Sequence, residues 1–450
     1  MLDENSSIDK TKGLCLGCLN WVDAVLLNKQ GAAYLETFCV KDGYKEHFLS
    51  AHAQYFKELR DFYFFVTKEV YPQTRYLLFF TARCNLSCPI CFIEPHSNEV
   101  REISLGEIRN LPLGPKKELI LFGAEPTYRE DLFEIVKYVK KKQHAVSLYT
   151  NGVKLVELNY LRQLKRSGVD KVYFQFDGFK DEVYEVLRNK KLVQEKMKVL
   201  DNLKSLNMPA VLDASIVKGV NEKEVGGIFD FALRNDYIRA VNFIAYVRCG
   251  CGRDYLGEGS LTPDELIDMV IEYAQGKITR RGILVFQKLL YVYMALLKRR
   301  TCFYIQYYWV YRKSPREWLS FEQFINLDIL DKLLDKYAKI KDKNVLLSKI
   351  YLFFNMPKMV FAIRSPALVF KMLLMAMSHA LRIGEYAKND SGFLQLIFAT
   401  ACDPYKADKK IVERCHVGII YKNAGGEVII NQENGAYLLE RESKVKVPVA

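Results

Sequence analysis

At 450 residues, half of them hydrophobic and 13% aromatic, the chain can bury a full catalytic domain with appendages, which excludes general disorder. Its formal charge of +13 suits an anionic partner such as nucleic acid, an acidic membrane surface or a phosphorylated substrate, although a merely basic protein has the same balance. Eleven cysteines in tight clusters, behind the polar start Met1-Leu2-Asp3-Glu4-Asn5, predict a reducing cytoplasmic setting and metal binding; no uncharged apolar run reaches about 18 residues, so no spanning helix is expected.

Residues 1–70 form a cysteine-rich opening. Cys15-Leu16-Gly17-Cys18 is a CxxC knuckle, and Cys39 follows a β-like hairpin around Asp23-Ala24-Val25-Leu26-Leu27 and Ala32-Ala33-Tyr34-Leu35. Two thiolates from one knuckle and one from a second strand make three corners of a tetrahedral site for zinc or a single iron. Asp42 has the spacing for the fourth corner, with His47 as runner-up; three unconnected cysteines are the bland alternative. Residues 48–70 read as a helix with buried aromatics, tethering this metal-binding clip to the next domain.

From 71 to 247, apolar runs alternate with amphipathic stretches, the pattern of repeated βα units and a parallel sheet. Strands are predicted at 76–80, 118–122, 145–149, 171–176, 210–217 and 240–246. Helices are predicted near 105–110, 129–142, 156–167, 193–206 and 222–235. Cys84, Cys88 and Cys91 stand at CxxxCxxC spacing directly after the first strand. Three thiolates on a [4Fe–4S] cluster leave one iron open for chemistry, whereas a closed zinc clip would be structural; the triplet alone fits both. Gly123-Ala124-Glu125-Pro126 follows the second strand, Thr150-Asn151-Gly152 the third, Asp177-Gly178 the fourth and Lys218-Gly219 the fifth. Carboxyl ends of barrel strands converge on one face, so these motifs share a mouth with the cysteine loop. A ligand whose amine and carboxylate chelate the open iron would meet backbone around Gly123 and Ala124, helped by the charge of Glu125. Asn151, Gln175 and Asp177 are placed for ribose hydroxyls or the carboxylate, and Val217 and Lys218 for an adenine edge. Strand-end caps and internal salt bridges are the competing roles, foremost for Glu125 and Lys218.

This combination resembles the radical SAM superfamily over roughly residues 75–247. More narrowly, Cys88-Pro89-Ile90-Cys91-Phe92, Arg129-Glu130-Asp131-Leu132, Phe174-Gln175-Phe176-Asp177-Gly178 and Val217-Lys218-Gly219-Val220-Asn221 are similar to the subgroup containing archaeal tetraether lipid synthase and pterin dimethyltransferase-like enzymes. The likeness implies a partial (βα)6 TIM-type barrel, one-electron cleavage of S-adenosylmethionine, and a 5′-deoxyadenosyl radical that abstracts hydrogen from unactivated carbon. A reductase or ferredoxin-type protein would supply the electron. Three departures stand out: Ala124 replaces a usual glycine, Asp42 replaces the subgroup's histidine, and the cysteines used for auxiliary clusters are thinned.

Residues 248–450 are expected to form an aromatic, basic helical cap ending in a cysteine-containing hairpin. Cys249, Cys251, Cys302, Cys402 and Cys415 can supply one auxiliary Fe–S cluster or simply be buried thiols. Lys298, Arg299 and Arg300 precede Tyr304, Tyr307, Tyr308, Trp309 and Tyr311, a mixture that suits a membrane interface. The apolar helix opening at Ser365-Pro366 fits a bilayer surface, a greasy channel or a packed cap. The favoured reading is therefore an enzyme that functionalises a lipid acyl chain by carbon–carbon bond formation or methylation, peripheral on the inner face of the membrane. A methylase or maturase acting on a pterin or peptide is the alternative, and a non-catalytic membrane-binding protein the reading of another class. No nucleic-acid-binding module is recognisable.

Overall fold

The computed structural model describes residues 6–93, 102–254, 260–381, 392–400, 403–423 and 425–431. The first four strands, β1 (Ser7–Leu14), β2 (Trp21–Lys29), β3 (Ala32–Cys39) and β4 (Gly43–Ser50), pair in sequence order as an antiparallel sheet. Ala24, Leu26 and Leu35 bury one of its faces against Phe56 of the helix Ala53–Val66. That helix begins later than the expected residue 48 because Phe48 continues β4 opposite Tyr34. Arg60 ties this region to the far end of the chain. It is buried and pairs with Asp408 at 2.7 Å and Asp9 at 2.9 Å, while Thr11 Oγ1 donates to Asp408 at 2.6 Å.

The second sheet is mostly parallel. Six strands run β5 (Arg75–Phe79), β6 (Glu118–Phe122), β7 (Ala145–Thr150), β8 (Lys171–Gln175), β9 (Ala210–Ile216) and β10 (Ile238–Ala245), each parallel to the next. Each lies within two residues of its predicted bounds, because continuous apolar runs mark strands buried on both faces. Residues such as Leu78, Leu121, Leu148, Phe174, Leu212 and Phe243 point outward into the main core beneath the helices. The arrangement fits a partial TIM-type barrel.

The expected helical cap over 248–450 is corrected by the pairing of later strands into this same sheet. β13 (Phe393–Thr400) adds parallel to β10, and β11 (Ile305–Ser314) adds antiparallel to β13 with β12 (Glu317–Ser320) at its edge. At the other side β14 (Gly418–Lys422) lies parallel to β5 and pairs with β15 (Val428–Asn431), the expected terminal hairpin. The aromatic stretch read as interfacial is therefore largely β11. Tyr308 and Val310 are fully buried, and Trp309 is nearly so. Alternating aromatic and β-branched residues favour a strand, and Arg312 spends its guanidinium on the carbonyls of Ala232, Asn235 and Ile238. Helices do cluster later, at Leu327–Lys343, Val345–Val360 and Pro366–Leu381.

Candidate functional site

The cysteine loop leaves the end of β5 and is pinned by the loop after β6. Ala124 N–H donates to Thr81 O and Glu125 N–H to Arg83 O, both at 2.9 Å. Gly123 is required here, because a Cβ would lie 2.5 Å from the Thr81 carbonyl oxygen. Glu125 is fully buried and already committed: its carboxylate accepts from Thr127 N–H (3.0 Å), Thr127 Oγ1 (2.6 Å), Thr150 Oγ1 (2.8 Å) and Asn151 N–H (2.7 Å). Its side chain thus acts as the strand-end cap rather than as a charge offered to a ligand, and it fixes Asn151. Pro126 opens the short turn that holds Thr127. Asn151 Nδ2 in turn donates to Asn85 Oδ1 at 2.7 Å and lies 3.8 Å from Cys84 Sγ.

Cys84, Cys88 and Cys91 are half-buried along this loop. Burial pushes the Cys84 thiol up to about 11 and the Cys91 thiol up to about 12, so neither ionises at neutral pH without a metal to displace its proton. Their sulfurs do not converge within the 4.8 Å of one another that a single ion demands. Ligands on different irons of one cluster stand farther apart than those on a single ion, and three thiols on one loop are the donor type such a cluster takes.

The fourth strand's motif carries a buried polar network. Asp177, with no exposure, pairs bidentately with Arg188 at 2.7 and 3.0 Å, and Arg188 also donates to Ser215 Oγ at 3.1 Å. Against the cost of burial, Asp177 and the neighbouring Cys88 keep Arg188 charged. Lys196, also buried, donates to Asn151 O (2.7 Å), Gln175 O (2.9 Å) and Gln175 Oε1, while Gln175 Nε2 donates to Asp177. Burial drives its ammonium down to about 7. Arg188 and Lys196 were not singled out from sequence. Arg188 ends an unpredicted helix, Asp181–Arg188, although an arginine one helix beyond a strand-end aspartate was the available signal.

The turn after β9 differs from expectation. Val217 N–H donates to Asn221 Oδ1 at 2.8 Å, and Val217 O accepts from Val220 and Asn221. Its backbone is spent on the turn, Lys218 is exposed, and Asn221 is the organising side chain, donating to Asp177 O and Ser215 O at 2.9 Å.

Inside the barrel, the floor is a charge plug. Glu118 meets Arg75 (2.8 Å), Lys171 (3.2 Å) and Ser147 (2.8 Å), and the two cations hold its carboxyl down to about 2 despite burial. Above it Tyr149 and Tyr173 stack with centroids 4.3 Å apart, and Asp213 accepts from Asn242 Nδ2 at 2.7 Å.

The remaining cysteines separate. Cys15, Cys18 and Cys39 converge within 4.8 Å, Cys18 and Cys39 lie 3.7 Å apart, and Asp42 lies 3.5 Å from Cys15. Thiolates about 2.3 Å from a tetrahedral ion stand roughly 3.8 Å apart, so this group has single-ion spacing. His47 sits four residues along β4 opposite Leu35, against Tyr405, which removes it as the fourth ligand. Cys249 and Cys251 pack on the cysteine loop, 3.5 Å from Phe92 O and 3.4 Å from Ile93 O. Cys302 and Cys415 are buried elsewhere, near Tyr63 and Tyr291. Cys402 lies outside the described residues, and the four described members form two pairs rather than one cluster because the chain carries them to different regions.

A mostly parallel α/β sheet thus carries a thiol loop and a buried charge network at the ends of its strands. Over residues 78–232 the chain matches the model of the radical SAM superfamily. It is 34% identical over 301 residues, 60% of each chain, to a Methanocaldococcus jannaschii protein named 7,8-dihydro-6-hydroxymethylpterin dimethyltransferase. It is 31% identical over 166 residues to a probable GTP 3′,8-cyclase of Pyrococcus horikoshii, covering 36% of this chain and 53% of that one. The chain thus spans between half and two thirds of these relatives. A crystal structure of Streptococcus suis SuiB bound to precursor peptide SuiA aligns over 62% of this chain and 71% of that one, at 12% identity and a TM-score of 0.40.

Proposed function

We propose that the protein is a radical S-adenosylmethionine enzyme that functionalises an unactivated C–H bond, with Cys84, Cys88 and Cys91 as the cluster ligands. A [4Fe–4S] cluster held by these thiolates would, once reduced by a reductase or ferredoxin, supply the one electron that cleaves S-adenosylmethionine to methionine and a 5′-deoxyadenosyl radical. The carrying observation is the cysteine loop's attachment to Gly123, Ala124 and Asn151, which sets the thiols beside the Asp177–Arg188–Lys196 network. Gln175 and Asp177 orient Arg188, the cation that would meet the ligand's carboxylate, while Lys196, its three N–H donors spent on Asn151 and Gln175, braces the two loops. Cys15, Cys18, Cys39 and Asp42 would hold zinc or iron away from the chemistry.

For the substrate we favour a heterocycle with a 2-amino-4-oxopyrimidine ring. The named relatives act on a pterin and on GTP, which share that ring, and the barrel interior pairs aromatic faces with polar side chains. The test is anaerobic reconstitution with dithionite and S-adenosylmethionine. Release of 5′-deoxyadenosine by the wild type and its loss in Cys84→Ala supports the reading, and no release by the wild type overturns it.

A lipid substrate is the second reading, favoured by one observation. Leu346, Leu347, Ile350, Phe353 and Phe354 share the outer face of the helix Val345–Val360, and Phe353 and Phe354 are 70% and 71% exposed. Phe361, Phe370, Leu373 and Leu374 are exposed too, and the cations Lys349, Lys358, Arg364 and Lys371 lie along the same stretch of sequence without an acidic residue between 344 and 381. No described helix is long and apolar enough to cross a membrane. Sedimentation with anionic vesicles that Phe353→Ser/Phe354→Ser abolishes would favour this reading; indifference of the wild type to vesicles removes it.

A further inference from the structure

The geometry points to Asp213 and Asn242 as a recognition pair inside the barrel that reads the adjacent 2-amino and N3–H donors of a pterin- or guanine-type ring. The inference rests on the reading of the mouth as the radical-generating site and names what the substrate meets beneath it.

The two residues are neighbours in register on β9 and β10. Leu212, Ala214, Val241 and Phe243 point outward into the main core, so alternation turns Asp213 and Asn242 to the interior. They lie two residues, about 7 Å, below the level of Ser215, which contacts Arg188 at the mouth. A substrate held at this depth sits beneath the thiol loop rather than in it.

The pair is under-satisfied in one direction only. Asn242 Nδ2 donates to Asp213 Oδ1 at 2.7 Å, which fixes the amide's orientation. Asn242 Oδ1 is then buried without a partner on a side chain only 7% exposed, and such an acceptor is costly unless a ligand supplies the donor. Asp213 Oδ2 has no partner among the described residues, and the residue remains half-buried, open to the interior. Two acceptors side by side demand two donors side by side. A 2-amino-4-oxopyrimidine presents that edge through its exocyclic amine and N3–H. The aromatic stack of Tyr149 and Tyr173 lies in the same interior, and Tyr149 is close enough to Asp213 for the carboxylate to raise its phenol further after burial has done so. The ring face and the ring edge thus have separate partners, a combination suited to a flat polar heterocycle. Burial pushes the Asp213 carboxyl up to about 7, consistent with a carboxylate kept for a partner at a cost to the fold.

The test uses the anaerobically reconstituted full chain with S-adenosylmethionine. Binding of 6-hydroxymethyl-7,8-dihydropterin and of lumazine, whose position 2 is a carbonyl, is followed by fluorescence, and 5′-deoxyadenosine is measured in the same samples. The expected result is pterin binding at least on the order of tenfold tighter than lumazine, a difference lost in Asp213→Asn and in Asn242→Leu. Both variants should still cleave S-adenosylmethionine. Equal binding of the two probes by the wild type, or unchanged selectivity in both variants, overturns the pair's role even if 5′-deoxyadenosine forms normally. Selective pterin binding without any 5′-deoxyadenosine supports the pair and overturns the radical chemistry instead.

Discussion

Asp177 shows how little of a site's chemistry is set by one side chain. Its carboxylate is wholly buried, and the bidentate Arg188, the Gln175 side-chain amide and the Ser215 backbone amide make that tolerable. Arg188→Met leaves that charge without its counterion, so urea unfolding should show a loss of about 3–5 kcal/mol. Asp213 makes the opposite contribution. Its pKa rises from the ordinary 3.8 to about 7 on folding, through burial first. Between those values the folded state holds a proton that the unfolded chain has lost, so stability falls as pH rises through this window and the loss is complete above it. Asp213→Asn should flatten this dependence and raise Tm at pH 8 by about 2–4 °C, measured by calorimetry at pH 5 and 8. An unchanged pH slope would refute the assignment.

At the scale of elements, the loops after β5, β6 and β7 act as one unit. Gly123 lets the second lie on the first, and Glu125 carries the constraint to the third. Gly123→Val would force the Thr81 carbonyl aside. Affinity for S-adenosylmethionine should fall on the order of tenfold while iron content stays near wild type, read by equilibrium dialysis and metal analysis. The amino-terminal knuckles are separable from this unit. Cys39→Ser should remove one metal per chain and lower Tm by several degrees without abolishing 5′-deoxyadenosine formation.

The legibility of these elements followed from how local their signals are. All six barrel strands were readable because each is a short apolar run bounded by turns, and Cys84, Cys88 and Cys91 announce themselves by spacing. β11 and β13 were not, since their pairing joins segments some 90 residues apart and the tyrosines of β11 have the composition of an interface. Asn242 was invisible for another reason. Its importance comes from an acceptor left bare by its neighbour on β9, and no sequence pattern records that.

Across the whole molecule, both ends of the chain close on the barrel. β14 lines up beside β5, and Asp408 is held by Thr11 and Arg60 of the amino-terminal region. The barrel is thus braced by segments from early and late in the chain. This architecture has a purpose only if the thiol loop carries a cluster with one iron free to take S-adenosylmethionine. The most direct measurement is electron paramagnetic resonance of the reduced, reconstituted protein before and after S-adenosylmethionine is added. The account predicts a [4Fe–4S] signal that shifts on addition and disappears in Cys84→Ala. A signal unmoved by S-adenosylmethionine, or zinc at Cys84, Cys88 and Cys91, would contradict it.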